Sequence, residues 1–295
     1  MIYQIIDEKF SGMLLRQYLY EQLHFSHNLV KKAKSEEGNI LINDEKKTVR
    51  YVLRAGDQLK ISFPPEEISS SLAKYSMPLS ILYEDNDVIV LDKAAGIPTI
   101  PSRLHPSGTI ANGLLAYYAK KNIPYTVHVV TRLDKDTSGV LLIAKHQYSH
   151  SILSKMQQQY EIKRKYIAII EGQPKVNSGT IDAPIGRKDD SIIERAVVEN
   201  GKRAITHYSV LDKGDKYSLV EIKLETGRTH QIRVHFSHIG HPLVGDHLYG
   251  ADKRELARTA LHCSRVSFTH PFTNEHITIH APLHKDMELF LKDTN

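Results

Sequence analysis

Thr131-Arg132-Leu133-Asp134-Lys135-Asp136-Thr137-Ser138-Gly139 runs directly into Val140-Leu141-Leu142-Ile143-Ala144. Two carboxylates, two cations and several hydroxyls stand at the mouth of a short apolar run. A run of that length bounded by turn residues reads as a buried strand. Alone, the polar stretch reads as a capped, salt-bridged turn before it reads as a site. Two further segments change its weight. Leu224-Glu225-Thr226-Gly227-Arg228-Thr229-His230-Gln231-Ile232-Arg233-Val234-His235 alternates cations with apolar residues. Lys163-Arg164-Lys165-Tyr166 opens the strand-like Tyr166–Ile170. Taken singly, the first is a strand-to-helix junction with its polar residues in water, and the second is a charged guard on an edge strand.

Around these segments, strand-like runs are plentiful: 88–91, 140–144, 166–170, 207–211, 217–224, 266–269 and 277–280. Helical patterns cover 110–120, 149–160 and 229–238. Strands outnumber helices, and many connections are too short for helical crossovers. The expected fold class is therefore α+β with a mostly antiparallel mixed sheet, not a doubly wound parallel one. No GxGxxG follows a strand and no GxxxxGK[ST] loop exists, so no nucleotide cofactor is expected.

The chain has 295 residues, 41% hydrophobic and 25% charged, ordinary values for a folded soluble protein. No apolar run approaches the ~20 residues of a membrane helix, and the start MIYQIIDEKF lacks a secretory pattern. One cysteine, Cys263, excludes a disulfide framework or a multi-cysteine zinc module, and the cytoplasm is the default compartment. Net charge is +5 with a pI near 9.0, which permits a polyanionic partner without requiring one. Seventeen histidines invite a metal alternative, a hydrolase using His230, His235, His238, His241 or His247 with Asp246, but the spacing lacks HExxH. No metal is expected.

The proline-bracketed, serine-rich stretch 64–78 reads as a linker, placing a small unit at 1–65, a linker at 66–78 and a large domain at 79–295. In the small unit Met13, Leu14, Tyr18, Leu19 and Leu23 recur at helical spacing. Ser26 is an N-cap candidate for a second helix with Leu29, Val30 and Ala33 on its apolar face, and Gly38 stands where a helix C′ residue belongs. Strands follow at 39–42 and 58–63. Lys31, Lys32, Lys34 and Arg50 belong to a basic cluster in its middle.

LRQYLYEQL, SHNLVKKAK, ILIND, TVRYVLRAGDQL and FPPE, in this order, resemble the S-four RNA-binding domain. TRLDKDTSG, KYIAIIEG and LETGRTHQIRVH resemble the motifs of RluA/RluD-type ribosomal RNA pseudouridine synthases, as do LYEDNDVIVLDKAAGIPT, GHPLVGDHLYG and ALHCSRVSFTHPFT. The likeness spans nearly the whole chain. It implies an isomerase acting on RNA, a reaction that demands no cofactor; a monomer is the default state. The expected substrate is large-subunit ribosomal RNA, with tRNA as the alternative. It also implies roles: Asp134 as the catalytic aspartate, Arg132 as the arginine that displaces or replaces the target base, Tyr166 against the uracil, Arg233 as the basic partner of Asp134, and Leu261 as an apolar pocket residue. Lys31, Lys32, Lys34 and Arg50 would bind RNA. Thr131 stands where the family usually has histidine, and Lys93-Ala94-Ala95-Gly96 lacks the usual proline. A catalytically silent RNA-binding protein of the same fold is the rival reading.

The chemistry suits those residue types. Breaking the glycosidic bond and rejoining uracil through carbon 5 needs one carboxylate beside the sugar and no redox partner. A paired arginine offsets the carboxylate's desolvation and aims it. Everting the uridine costs a few kcal/mol, and stacking on an aromatic returns roughly 1–3 kcal/mol.

Overall fold

The computed structural model of the chain describes residues 2–66, 72–189, 191, 193–251 and 256–294. Residues 67–71 of the expected linker lie outside the described residues.

The first elements are β1 (Ile2–Ile5), α1 (Leu15–Glu21), α2 (His27–Ala33), β2 (Asn39–Ile42), β3 (Glu45–Lys46) and β4 (Gln58–Ser62). Their strands pair antiparallel in the order β1-β4-β2-β3 and cover the apolar faces of both helices. Ser26 caps α2, its Oγ accepting the Leu29 N–H at 3.2 Å. Two local expectations shift. Leu14 stands before α1 and is 43% exposed, so the buried face is Leu15, Tyr18 and Leu19. Gly38 is not a left-handed cap. Glycine is needed there because a Cβ would come within 2.4 Å of the Lys32 carbonyl oxygen.

The rest of the chain supplies β5 (Ser80–Glu84), β6 (Val88–Lys93), α3 (Ile110–Lys120), β7 (His128–Val129), β8 (Ser138–Ala144) and α4 (Gln147–Gln158). Then come β9 (Lys163–Glu171), β10 (Ser178–Asp182), β11 (Ile185–Arg187), β12 (Arg195–Val197), β13 (Ile205–Lys213) and β14 (Tyr217–Leu224). The chain closes with α5 (Gln231–His238), β15 (Leu261–Thr269), β16 (His276–His280) and α6 (Lys285–Thr294). One large sheet runs β10-β13-β14-β9-β15-β8-β6-β5, with β16 on β15 and β7 on β8, and β11 pairs with β12 in a separate ribbon. Every described pairing is antiparallel except β15 with β8. The fold is thus mixed α+β with a mostly antiparallel sheet. β9 lies between β14 and β15, so its basic opening is not an edge guard.

All seven residues of β8 are buried, and Val140, Leu141, Leu142 and Ile143 each contribute roughly 1.5–3 kcal/mol by leaving water. Gly139 permits the parallel contact. Its φ is +103°, and a Cβ there would lie 2.2 Å from the Cys263 carbonyl oxygen. The close approach sets the start of β15 beside the mouth of β8.

The small unit packs on α4. Tyr148 and Ile152 join its core, with the Tyr148 and Phe25 rings 4.8 Å apart. The Ser26 N–H donates to Ser151 Oγ at 3.1 Å, and that hydroxyl donates to the His24 carbonyl at 3.2 Å. Glu66 accepts the backbone N–H groups of Thr126 and Gln147 at 3.0 and 2.8 Å and faces His128 Nε2 at 2.8 Å. Among residues 72–78, Tyr75 donates its backbone N–H to the Asn112 carbonyl on α3, and Asn112 Nδ2 donates to the Ala73 carbonyl.

Candidate active site

Asp134 stands in the loop entering β8, its side chain 32% exposed. The loop is clamped from several sides. Thr131 is buried, and its Oγ1 accepts the Leu142 N–H at 3.0 Å. Thr99 Oγ1 donates to the Leu133 carbonyl at 2.7 Å. Lys93 Nζ, beneath the loop, donates to the carbonyls of Ala94, Ile97 and Lys135 at 2.8, 2.8 and 2.9 Å. Lys93 is 1% exposed, and burial pushes its amine down to about 7, against the opposing pull of Asp136 and Asp134. Arg258 forks onto Asp286 at 2.6 and 2.9 Å, and its Nη1 donates to the carbonyls of Leu261 at 3.1 Å and Asp136 at 3.4 Å.

Arg233 comes from α5, ninety-nine residues along the chain, and its Nη1 donates to Asp134 Oδ2 at 3.3 Å. Its tighter fork goes elsewhere: Nε and Nη2 donate to Asp246 Oδ2 and Oδ1 at 2.6 and 2.8 Å. Burial works against the Arg233 charge, but the hydrogen bonds and charge of Asp246, then Asp134, outweigh it and hold the guanidinium above the ordinary arginine range. The Tyr249 ring lies 4.9 Å from its Cζ. Arg233 is therefore a fixed cation with one limb left for Asp134.

His230 completes the surround. It does not extend α5, which begins at Gln231, but sits left-handed before it at φ 58°. Its Nδ1 lies 2.7 Å from the Tyr249 hydroxyl, which accepts the Arg195 N–H at 2.9 Å. Its Nε2 is 3.8 Å from Asp134 Oδ2. Burial lowers its pKa against the pull of Asp134, which favours the neutral ring.

A pocket of about 180 Å³ opens over Asp134. Arg132, Tyr166, Arg233 and Leu261 all line it, with Arg164, His230 and Gln157. Tyr166 and Leu261 supply a buried apolar wall. Arg164 Nη1 donates to the Tyr166 hydroxyl at 3.2 Å, and burial holds that phenol above its usual range. A second hollow of about 500 Å³ lies beyond Asp134 and shares Arg132, Asp134, His230 and Arg233 with the first. The five residues proposed from sequence for the reaction thus meet in one place. Lys31, Lys32, Lys34 and Arg50 are all exposed on the small unit and do not line the pocket.

A family model described as RNA pseudouridylate synthase matches residues 87–238. The uncharacterized RNA pseudouridine synthase YjbO of Bacillus subtilis (strain 168) is 48% identical over 96% of this chain and 100% of its own length. The chain belongs to the RNA pseudouridylate synthase family. Ribosomal large subunit pseudouridine synthase D of Xanthomonas campestris pv. campestris is 36% identical over 86% of this chain and 80% of its own. The solved structure of Human RNA Pseudouridylate Synthase Domain Containing 1 is similar over 73% of this chain and 86% of its own, at 27% identity and a TM-score of 0.59. The chain is an isomerase of this RluA/RluD-like family.

The synthase uses its histidines structurally in several places. His235 is fully buried between Thr206 Oγ1 at 2.8 Å and the Ala183 carbonyl at 2.9 Å. His241 Nδ1 donates to the Glu171 carbonyl at 2.9 Å. Among the described residues, the group that brings three metal-capable side chains together is instead Asp85, Asp87 and His270. There His270 Nδ1 accepts the N–H groups of Phe272 and Thr273 at 3.3 and 3.1 Å, which leaves the proton on Nε2, 3.1 Å from Asp85 Oδ2. In that tautomer the ring is neutral and Nε2, carrying its proton, has no lone pair to offer a metal.

His262, next to Leu261 on β15, is wholly buried between Ser138 Oγ and the Ala281 carbonyl, and burial pushes its pKa down to about 4. Unfolded histidine titrates near ~6.5, so the unfolded chain takes up this proton first. The resulting stability is complete above that pH and is lost as pH falls toward 4. Between pH 7 and 5 the synthase should therefore lose more melting temperature than its His262→Gln variant. Equal losses would remove His262 as a source of acid sensitivity.

Asp246, Tyr249 and His230 were missed as supports of Asp134. Asp246 and Tyr249 lie in GHPLVGDHLYG and His230 in LETGRTHQIRVH, yet of these segments only Arg233 was given a role, because nothing in a linear spacing says which carboxylate an arginine will fork.

Proposed function

We propose that the synthase converts uridine to pseudouridine in structured RNA, with large-subunit ribosomal RNA as substrate and Asp134 as the catalytic carboxylate. The observation that carries this reading is the arrangement of Asp134, faced by Arg233 at 3.3 Å, at the base of a pocket walled by Tyr166 and Leu261. The everted uracil lies against Tyr166, and Leu261 packs its edge. Arg132 fills the space left in the RNA or holds a phosphate. Asp134 then acts on the ribose or the base. The bond from C1′ to N1 breaks, the uracil turns, and a bond from C1′ to C5 forms. The C5 proton leaves and N1 ends protonated, so atoms balance without a cofactor. Ribosomal RNA is favoured because the Xanthomonas relative, at 36% identity, is named for the large ribosomal subunit.

The small unit, 1–65, serves as an S-four-like RNA-binding domain joined by 66–78 to the catalytic domain 79–295. Its support is the order of helix, helix and hairpin with exposed Lys31, Lys32, Lys34 and Arg50. Such cations add salt-dependent backbone affinity and not base choice. The protein acts where ribosomes are made, in the cytoplasm. The test is tritium release from unmodified large-subunit ribosomal RNA and from tRNA transcripts labelled at uracil C5, beside a pseudouridine map of cellular RNA with and without the gene. Release from the ribosomal transcript and one missing ribosomal position are expected. Release from tRNA alone would reassign the substrate, and release from neither would remove the activity.

A further inference from the structure

A cleft of about 820 Å³ runs between α2 and α4, one wall from each unit. Lys31 and Lys32 line it from α2, and Lys155, Ser154 and Gln158 from α4. None of its lining residues is a carboxylate, although the chain has 34 Asp and Glu. Its walls are fixed together by the Ser26–Ser151 hydrogen bond and by Lys155 Nζ, 2.8 Å from His24 Nδ1. Burial and then Lys155 lower the His24 pKa, so this ring accepts from Lys155 Nζ. The same helix also borders the reaction pocket. Gln157 faces the pocket over Asp134 while its neighbour Gln158 faces the cleft. Successive helical residues point about 100° apart, so the last turn of α4 is the ridge between the two hollows.

We propose that this cleft holds the sugar–phosphate backbone of the same RNA strand, a few nucleotides from the target uridine. The proposal rests on reading the pocket as the uridine site. Lysines, hydroxyls and amides without a carboxylate, set around Phe25 and Leu29, match phosphates and 2′-hydroxyls. Its rigid seat on α4 makes the small unit a ruler, which sets how far from the reacting uridine the RNA must turn.

The test uses the full chain and a large-subunit ribosomal RNA transcript tritiated at uracil C5. Lys31→Glu with Lys32→Glu should lower kcat/KM at least about tenfold, carried by KM. The same pair should flatten the salt slope of binding by about 1.4–1.8, two phosphate contacts at about 0.7–0.9 each. Lys9→Glu with Lys175→Glu, the same charge change outside the cleft, should do neither. A photoreactive group on Gln158→Cys, with Cys263 buried and silent, should cross-link within a few nucleotides of the modified uridine. Equal losses in both pairs, or cross-links scattered along the transcript, overturn the cleft while leaving the activity standing. Unchanged RNA kinetics together with binding of a polyglutamate peptide would give the surface to an acidic protein instead. No release from the wild type would count against the uridine reading itself.

Discussion

An Asp134→Asn enzyme is expected to bind RNA as tightly as the wild type and to make no measurable pseudouridine. The substitution removes a charge and almost no volume. The fold tolerates it because Arg233 keeps its bidentate partner, Asp246, at 2.6 and 2.8 Å, and because the Asp134 side chain is already 32% exposed. Chemistry should fall by at least about 10³-fold, inside the 10²–10⁴ range lost when a positioned acid or base is removed. A melting temperature within a degree or two of wild type, unchanged binding in 0.1 M salt and no tritium release are the joint result. Turnover near wild type would move the reaction to another carboxylate, and Asp136, in the same loop, is the first to try.

Arg233→Met should be the most damaging to the fold. It strands Asp246, whose side chain is 1% exposed, against an apolar neighbour. Breaking a buried pair from one side costs about 3–5 kcal/mol, which in a chain of this size shifts the melting temperature by on the order of 10 °C. Replacing both partners, Arg233→Met with Asp246→Leu, should recover most of that loss, because no buried charge is then left alone. Activity should not return, since Asp134 has lost its cation. Thermal melts of the three proteins beside tritium release separate the two roles. Recovery of activity in the double variant would show that Arg233 serves only to neutralise Asp246.

The expected α+β class and the strands around 88–91, 140–144 and 217–224 were legible because apolar runs between turn residues have few ways to be buried. Boundaries were less so. α5 starts at Gln231 and not at residue 229, because the His230 side chain is held between Tyr249 and Asp134 in a left-handed turn that no propensity predicts. α4 starts two residues early, at Gln147, where the Glu66 carboxylate takes the first free N–H. The threonine at position 131, a departure from the usual histidine, closes a backbone hydrogen bond inside the clamp and touches neither Arg233 nor Tyr166 through any such bond.

By itself the order of residues determined the family, the reaction class and the polar loop in which the reaction is sought, because those depend on residue types held at short, fixed intervals. What folding in three dimensions decided is which distant groups answer that loop. Arg233 is anchored first by Asp246 and only then offered to Asp134, and α4 serves both a pocket and a cationic cleft. Those pairings rest on packing across the sheet, where a close parallel contact at Gly139 and a shared helix bring together segments that no local pattern connects.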